Sequence, residues 1–234
     1  MSDMLKDALS VVDWNKNRDA FLSCPDYVNS LHNSQLIIGM WSREIESFDK
    51  GNVALPFVRE MQHGAHNVAI CLALALYKPA AAAMRSMLEC ALYYAYFRVH
   101  PAELKSLVRD DKFYIAKKDV MQFFQKHVPN FNERQSALVL LDKLERWYSE
   151  TSAIVHGQIP GGWGSSISLS EIAHNPVLDN DALSHFERCC TIIHEVFLCV
   201  LGGEAWSYVA TDSKAFFTKG MSPEVRLVLQ LDKG

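Results

Sequence analysis

Apolar residues recur at helical spacing along most of the chain, and the runs break at Pro, Gly and Asn. The first long run, Tyr27 to Phe48, follows Pro25 and predicts a helix capped by Asp26. Gly51 and Asn52 end it. Pro56 suits the first turn of a second helix reaching Leu76. Pro79 opens a third, through four alanines to Arg98, and Pro101 forces a break. Residues 101–109 read as a short helix and Phe113 to His127 as another. Asn130-Phe131-Asn132 supplies a cap for a long helix from Glu133 to Val155, which Gly157 stops as a C′ glycine. The segment Gly157 to Asp179 differs in character. It carries Pro160-Gly-Gly-Trp-Gly164, then an alternating Ser165-Ser-Ile-Ser-Leu-Ser170, and predicts a Gly/Ser-rich loop, a lid or a short hairpin. Such a loop is either functional or a surface insertion, and the pattern does not separate the two. Asp179-Asn180-Asp181 caps a last long helix, Ala182 to Leu201, which Gly202-Gly203 interrupts before Glu204 to Ala210. The tail from Ser222 predicts one more short helix. The expected architecture is an all-α, up-down helical bundle in a single domain. Its N-terminal helices lie in 1–52, its core bundle in 53–210 and its tail in 211–234.

Composition narrows the class. With 234 residues and 49% hydrophobic content, a sizeable core is expected and disorder is not. A net charge of −4 argues against a basic coat for non-specific nucleic-acid binding, though not against a local basic site. Lys112, Lys117, Lys118 and Lys126 cluster, but Asp110, Asp111 and Asp119 dilute them, which reads as a solvated helix face. The six cysteines contain no Cys-x-x-Cys pair, and the adjacent Cys189-Cys190 points to two helix faces; neither structural zinc nor a disulfide framework is expected. The N-terminus lacks a signal-peptide pattern. The longest apolar run, Val68 to Tyr77, is half the length of a membrane span and reads as a buried helix. A cytoplasmic protein without a membrane segment is the expectation.

Two polar stripes stand out against this apolar background. Tyr148, Ser152 and His156 fall at i, i+4 and i+8 and share one helix face. Arg85 and Glu89, four apart, lie among Met84, Met87, Leu88, Ala91 and Leu92. If the stripes meet, they form one polar site. His156 suits general acid/base work, and its place on the last helical turn favours its charged form. Arg85 either pairs with Glu89 or faces a phosphate or carboxylate. Alternatively Tyr148 and Ser152 tie the helices together as a structural network.

Arg85-Ser-Met-Leu-Glu89 on one helix, with Tyr148-x-x-x-Ser152-x-x-x-His156-Gly157 ending a later one, resembles the HEPN-like superfamily of helical bundles over roughly Ala80 to Gly157. The resemblance implies a symmetric homodimer through the long helices. It also implies either of two functions. One is a metal-independent endoribonuclease, or toxin-like defence effector, with an antitoxin or other protein partner. The other is a non-catalytic module binding a nucleotide, an RNA or a partner protein. In HEPN ribonucleases an arginine, a polar residue and a histidine follow one another at Arg-x(4–6)-His spacing. Here the matching segment is Thr151-Ser-Ala-Ile-Val-His156, with threonine where the family has arginine. Arg85 is the candidate replacement from a neighbouring helix, while Arg146 lies on a different face. His156 would serve as acid/base and Arg85 would meet phosphate, with Tyr148, Ser152 and Glu89 in support.

Two literal matches to the spacing occur elsewhere, Arg59 with His66 and Arg188 with His194; chance predicts about one among ten arginines and nine histidines. Arg188 and His194 form the second-choice site. Glu60-x-x-His63 and Glu171-x-x-His174 have a carboxylate–histidine metal spacing, and His63 and His66 could clamp one ion, but neither makes a closed site. No metal or cofactor is expected. Trp163 beside three glycines either stacks a base or plugs the loop onto the body.

Overall fold

The computed structural model describes residues 2–164 and 168–231. Its helices are α1 (Ser2–Ser10), α2 (Trp14–Leu22), α3 (Pro25–Phe48), α4 (Leu55–Ala73), α5 (Tyr77–Phe97), α6 (Pro101–Arg109), α7 (Lys117–His127), α8 (Phe131–Leu138), α9 (Leu140–Val155), α10 (Pro176–Ala205), α11 (Thr211–Phe217) and α12 (Pro223–Leu229). No strand occurs among the described residues, so the molecule is an all-α bundle. The short connections α3–α4 and α4–α5 force antiparallel neighbours. α4 packs along α5, α10 packs on both α3 and α5, and α9 lies across α5 and α10. Among the described residues no helix is long and apolar enough to cross a membrane.

One hydrophobic cluster runs from Phe21 to Leu231 and takes residues from α2 through α12. α5 is its centre: Ala80, Met84, Met87, Leu88 and Ala91 are all fully buried. α4 approaches it closely because Gly64 carries no side chain; a Cβ there would sit 2.4 Å from Met87 Cγ. α6 begins at Pro101, as the sequence expects, but α3 begins at Pro25, two residues before the expected start, with Cys24 and not Asp26 at its N-cap. α12 follows Ser222, whose hydroxyl accepts from the Val225 amide. Gly157 adopts φ +67 after α9, as a C′ glycine does.

Several expectations are corrected. The helix foreseen over Glu133 to Val155 is two, α8 and α9, divided at Val139 with φ +54. A β-branched residue there is strained, and periodicity across the break conceals it. The run Val68 to Tyr77 is not one buried helix. It holds the end of α4 and a turn at Ala75 (φ +59), and Ile70 is exposed. α10 starts at Pro176, capped by Asn175 rather than by the Asp179 group, and passes straight through Gly202 and Gly203. Neither glycine breaks the helix, and Gly203 has a close neighbour: a Cβ on it would meet the Arg134 guanidinium at 2.7 Å. The segment before α10 contains no hairpin among the described residues; Leu169–Glu171 form one turn of 3₁₀ helix, and Ser165-Ser166-Ile167 lie outside the described residues.

Candidate functional site

α9 buries Leu140, Leu144, Trp147, Thr151 and Ile154 against the body. That face turns the flanking stripe, Tyr148 and His156, toward α5 at the edge of the bundle. There Arg85 meets both. Its Nε donates to Glu89 Oε1 (3.0 Å), its Nη2 to the Tyr148 hydroxyl (2.9 Å) and its Nη1 to His156 Nε2 (2.8 Å). Tyr148 in turn donates to Glu89 Oε1 at 2.7 Å, closing a ring of hydrogen bonds. The guanidinium carbon also lies 4.9 Å from the Tyr148 ring centre.

The two stripes therefore converge, but at the surface and not inside the bundle. Arg85 is 24% exposed, Glu89 38%, and His156 lies open to solvent at the C-terminus of α9. Burial opposes the Arg85 charge, yet the bonds from Glu89 and Tyr148 outweigh it and hold the guanidinium firmly protonated. The Tyr148 phenol is pushed up by burial and then by Glu89, so it stays a donor. A guanidinium offers only donors, so His156 Nε2 must be the unprotonated acceptor in this arrangement, with the ring proton on Nδ1. The site thus holds a bare imidazole nitrogen, a fixed cation and a neutral phenol within one hydrogen-bonded group. Ser152 is half-buried, and its hydroxyl joins none of these bonds among the described residues.

Lys117 is a member that sequence reasoning missed. Its sequence context reads as a solvated lysine face, but its Nζ stands 4.3 Å over the Tyr148 ring and pairs with Glu145. The contact runs across helices, from α7 to Tyr148 on α9, which spacing within α7 does not reveal. Lys78, at the start of α5, is near Gly157: its Nζ would lie 3.5 Å from a Cβ there. Two cations, Arg85 and Lys117, thus stand at the Tyr148 ring, with Glu89 and Glu145 as counter-charges.

Thr151, where the HEPN pattern has arginine, is fully buried. Its hydroxyl donates to the Trp147 carbonyl (2.7 Å) and lies 2.7 Å from His185 Nε2. The single hydroxyl proton is spent on Trp147, so His185 Nε2–H donates to Thr151, and His185 Nδ1 accepts from Arg188 Nη2 at 2.8 Å. Burial, aided by Arg188, pushes His185 down to about 4. Sequence reasoning overlooked this chain because its parts come from two helices.

The second-choice pair does not come together. Arg188 bonds His185 and pairs with Glu150 at 2.9 Å. His194 instead accepts from Trp41 Nε1 at 2.8 Å beside Phe217, and burial takes it down to about 4. Six residues along α10 rotate the two to different faces. Arg59 is taken by Glu46. His174 contacts the wholly buried Asp179 at 2.6 Å, while Tyr77 donates to the other carboxylate oxygen at 3.0 Å; this fastens the chain just before α10. Trp163 (φ +57) packs its edge on His185 with ring centres 5.3 Å apart, plugging its loop onto α10. Among the described residues no group of three or more His, Cys, Asp or Glu is arranged to hold a metal, and all six cysteines are free.

No protein-family model matches this chain, and the comparisons found no similar curated protein and no similar solved structure.

Proposed function

We propose that the Arg85–Glu89–Tyr148–His156 group is the active site of a HEPN-like, metal-independent endoribonuclease of the toxin-like defence type, working as a homodimer. The observation that carries the reading is the 2.8 Å contact between a guanidinium and an unprotonated imidazole nitrogen at an open surface. In this reading an RNA phosphate displaces His156 from Arg85. His156 Nε2 takes the proton of a 2′-hydroxyl, whose oxygen attacks the adjacent phosphorus. The 5′-oxygen leaves and takes up a proton from water, and a 2′,3′-cyclic phosphate remains. Arg85 and Lys117 meet the charge that builds on the phosphoryl oxygens, which is the task a bound cation otherwise performs. Glu89 and Tyr148 hold the guanidinium in place.

The second reading is a non-catalytic HEPN-like module that binds a nucleotide, an RNA or a partner protein. Two observations favour it: Thr151 is buried in the His185 chain, and all three Arg85 nitrogens already have partners. The two separate in one assay. The ribonuclease cleaves RNA in EDTA, and His156→Ala lowers the rate about 10²- to 10⁴-fold while the melting temperature barely moves. Intact RNA with a large excess of folded wild-type protein rejects catalysis; RNA retained by that protein in a shift assay then selects the binding module.

A further inference from the structure

We propose that the cleft enclosed by the ends of α5, α7 and α10, α8 and the turn after α12 binds a small organic anion. Its oxyanion head would sit on Arg134 and its apolar body on Phe123, Val128 and Val200. This site is separate from the Arg85 group and does not depend on the ribonuclease reading.

The starting point is an arginine in the wrong place. Arg134 is 3% exposed. Its Nη1 donates to the Cys199 carbonyl at 3.1 Å and its Nη2 to Gln230 Oε1 at 3.4 Å, both neutral acceptors. Its Nε has no partner. Among the described residues no carboxylate lies within ion-pair distance of it. Burial draws this guanidinium below its ordinary pKa, and the pull of Cys199 and Glu133 offsets it only in part. A buried charge is normally paired, because desolvating it costs several kcal/mol that neutral dipoles return only in part. The fold nevertheless reserves the position. Gly203 stands bare against the guanidinium, and a Cβ there would approach Nη2 to 2.7 Å.

Arg134 opens onto a cleft of about 440 Å³. That is within the range of small-molecule sites. Arg98, itself paired with Asp49, and His127, whose ring stacks on Phe123, also line it, and no carboxylate does among the described residues. Phe123, Val128 and Val200 line the same cleft. The Arg134 charge beside aromatic and branched side chains selects an amphiphilic anion over both a bare ion and a neutral apolar molecule. Carboxylates and phosphate monoesters share that chemistry.

The test is calorimetric titration and thermal unfolding of the full chain with octanoate, phenyl phosphate, inorganic phosphate and octanamide. Octanoate or phenyl phosphate, or both, should bind and raise the melting temperature, and whichever binds more tightly identifies the head group. Inorganic phosphate should bind more weakly and octanamide not at all. Arg134→Met should weaken binding about tenfold or more, the scale of a lost charge-assisted bond, and should be at least as stable as the wild type without ligand. Val200→Trp, which fills the cleft and leaves the guanidinium in place, should weaken binding equally. Absence of binding by every probe at millimolar concentration overturns the proposal, as does equal affinity for phosphate and phenyl phosphate. If Arg134→Met fails to fold, the Val200→Trp result decides: unchanged affinity rejects the cleft.

Discussion

Replacing Thr151 by valine isolates the buried chain that occupies the arginine position of the HEPN pattern. Valine keeps the β-branch and nearly the volume, so no cavity opens. What disappears is the hydroxyl that donates to the Trp147 carbonyl and accepts from His185. His185 cannot escape by changing tautomer, because its other nitrogen accepts from Arg188, which has only donors to offer. A buried N–H is left without a partner, at a cost of about 1–3 kcal/mol. Burying a methyl in place of the hydroxyl returns up to about 0.8 kcal/mol. The net loss is therefore about 1–2 kcal/mol. For a chain of this size that lowers the melting temperature by roughly 2–8 °C. Thr151→Ser, which keeps the hydroxyl and loses only a methyl, should retain the coupling to His185. Urea unfolding of wild type, Thr151→Val, His185→Gln and the double variant measures it: the two changes should be less than additive by about 1 kcal/mol. A valine variant as stable as the wild type, or full additivity, would refute the proton assignment along Thr151, His185 and Arg188.

Two further outcomes follow from the same geometry. His185 binds its proton near 6.5 when unfolded but only at about 4 when folded, so its stabilising share is complete above about pH 6.5 and is lost as the pH falls toward 4. With the ring 2% exposed the loss approaches 3 kcal/mol. His194, also taken down to about 4, acts in the same sense, and the raised pKa of Asp179 acts oppositely. Hence the readout is the difference in pH slope between wild type and His185→Gln from pH 7 to 4.5, and parallel slopes would contradict it. Glu89→Gln keeps an acceptor for Arg85 and Tyr148 but removes the counter-charge; stability should fall by less than about 1 kcal/mol at this exposed pair, and under the proposed ribonuclease reading RNA affinity should rise. Weaker RNA binding by Glu89→Gln would mean that Arg85 does not meet the phosphate.

The bundle was legible in the sequence because helix periodicity and proline and glycine punctuation are local properties. The pairing of Arg85 with Glu89 was legible for the same reason, and the ladder from Tyr148 to His156 marked a face. Legibility failed where tertiary contact overrides local preference. Val139 breaks a helix with a residue that seldom adopts φ +54, so composition gives no warning. Gly202-Gly203 suggests a break, yet α10 runs on because Arg134, sixty-nine residues earlier, needs the space. Ser152 sits between Tyr148 and His156 on the ladder, yet its hydroxyl takes no part in the ring that those two longer side chains join. Lys117 and His185 act across helices, which spacing along one helix does not encode.

The placement of Arg85 follows from what α9 must bury. A guanidinium one turn and a half before His156 on the same helix would start from position 151, and that position faces the core between Trp147 and His185. The solvent-facing edge of α9 near His156 is within reach of α5 instead, where Arg85 stands half-buried and already neutralised in part by Glu89. Placing an arginine where the HEPN pattern would have one is therefore a fold test. Thr151→Arg must force a long side chain into a filled site, about 1–3 kcal/mol, strand an unpaired charge there, about 3–5 kcal/mol, and disrupt the His185 bond. A total above about 4 kcal/mol is a large part of a domain's stability. Combined with Arg85→Ala, it should leave a poorly folded protein that neither binds nor cleaves RNA, read by circular dichroism and a gel assay together. A folded double variant with wild-type behaviour toward RNA would show that position 151 can turn outward, and the cross-helix arrangement would then be one option among two and not a consequence of burial.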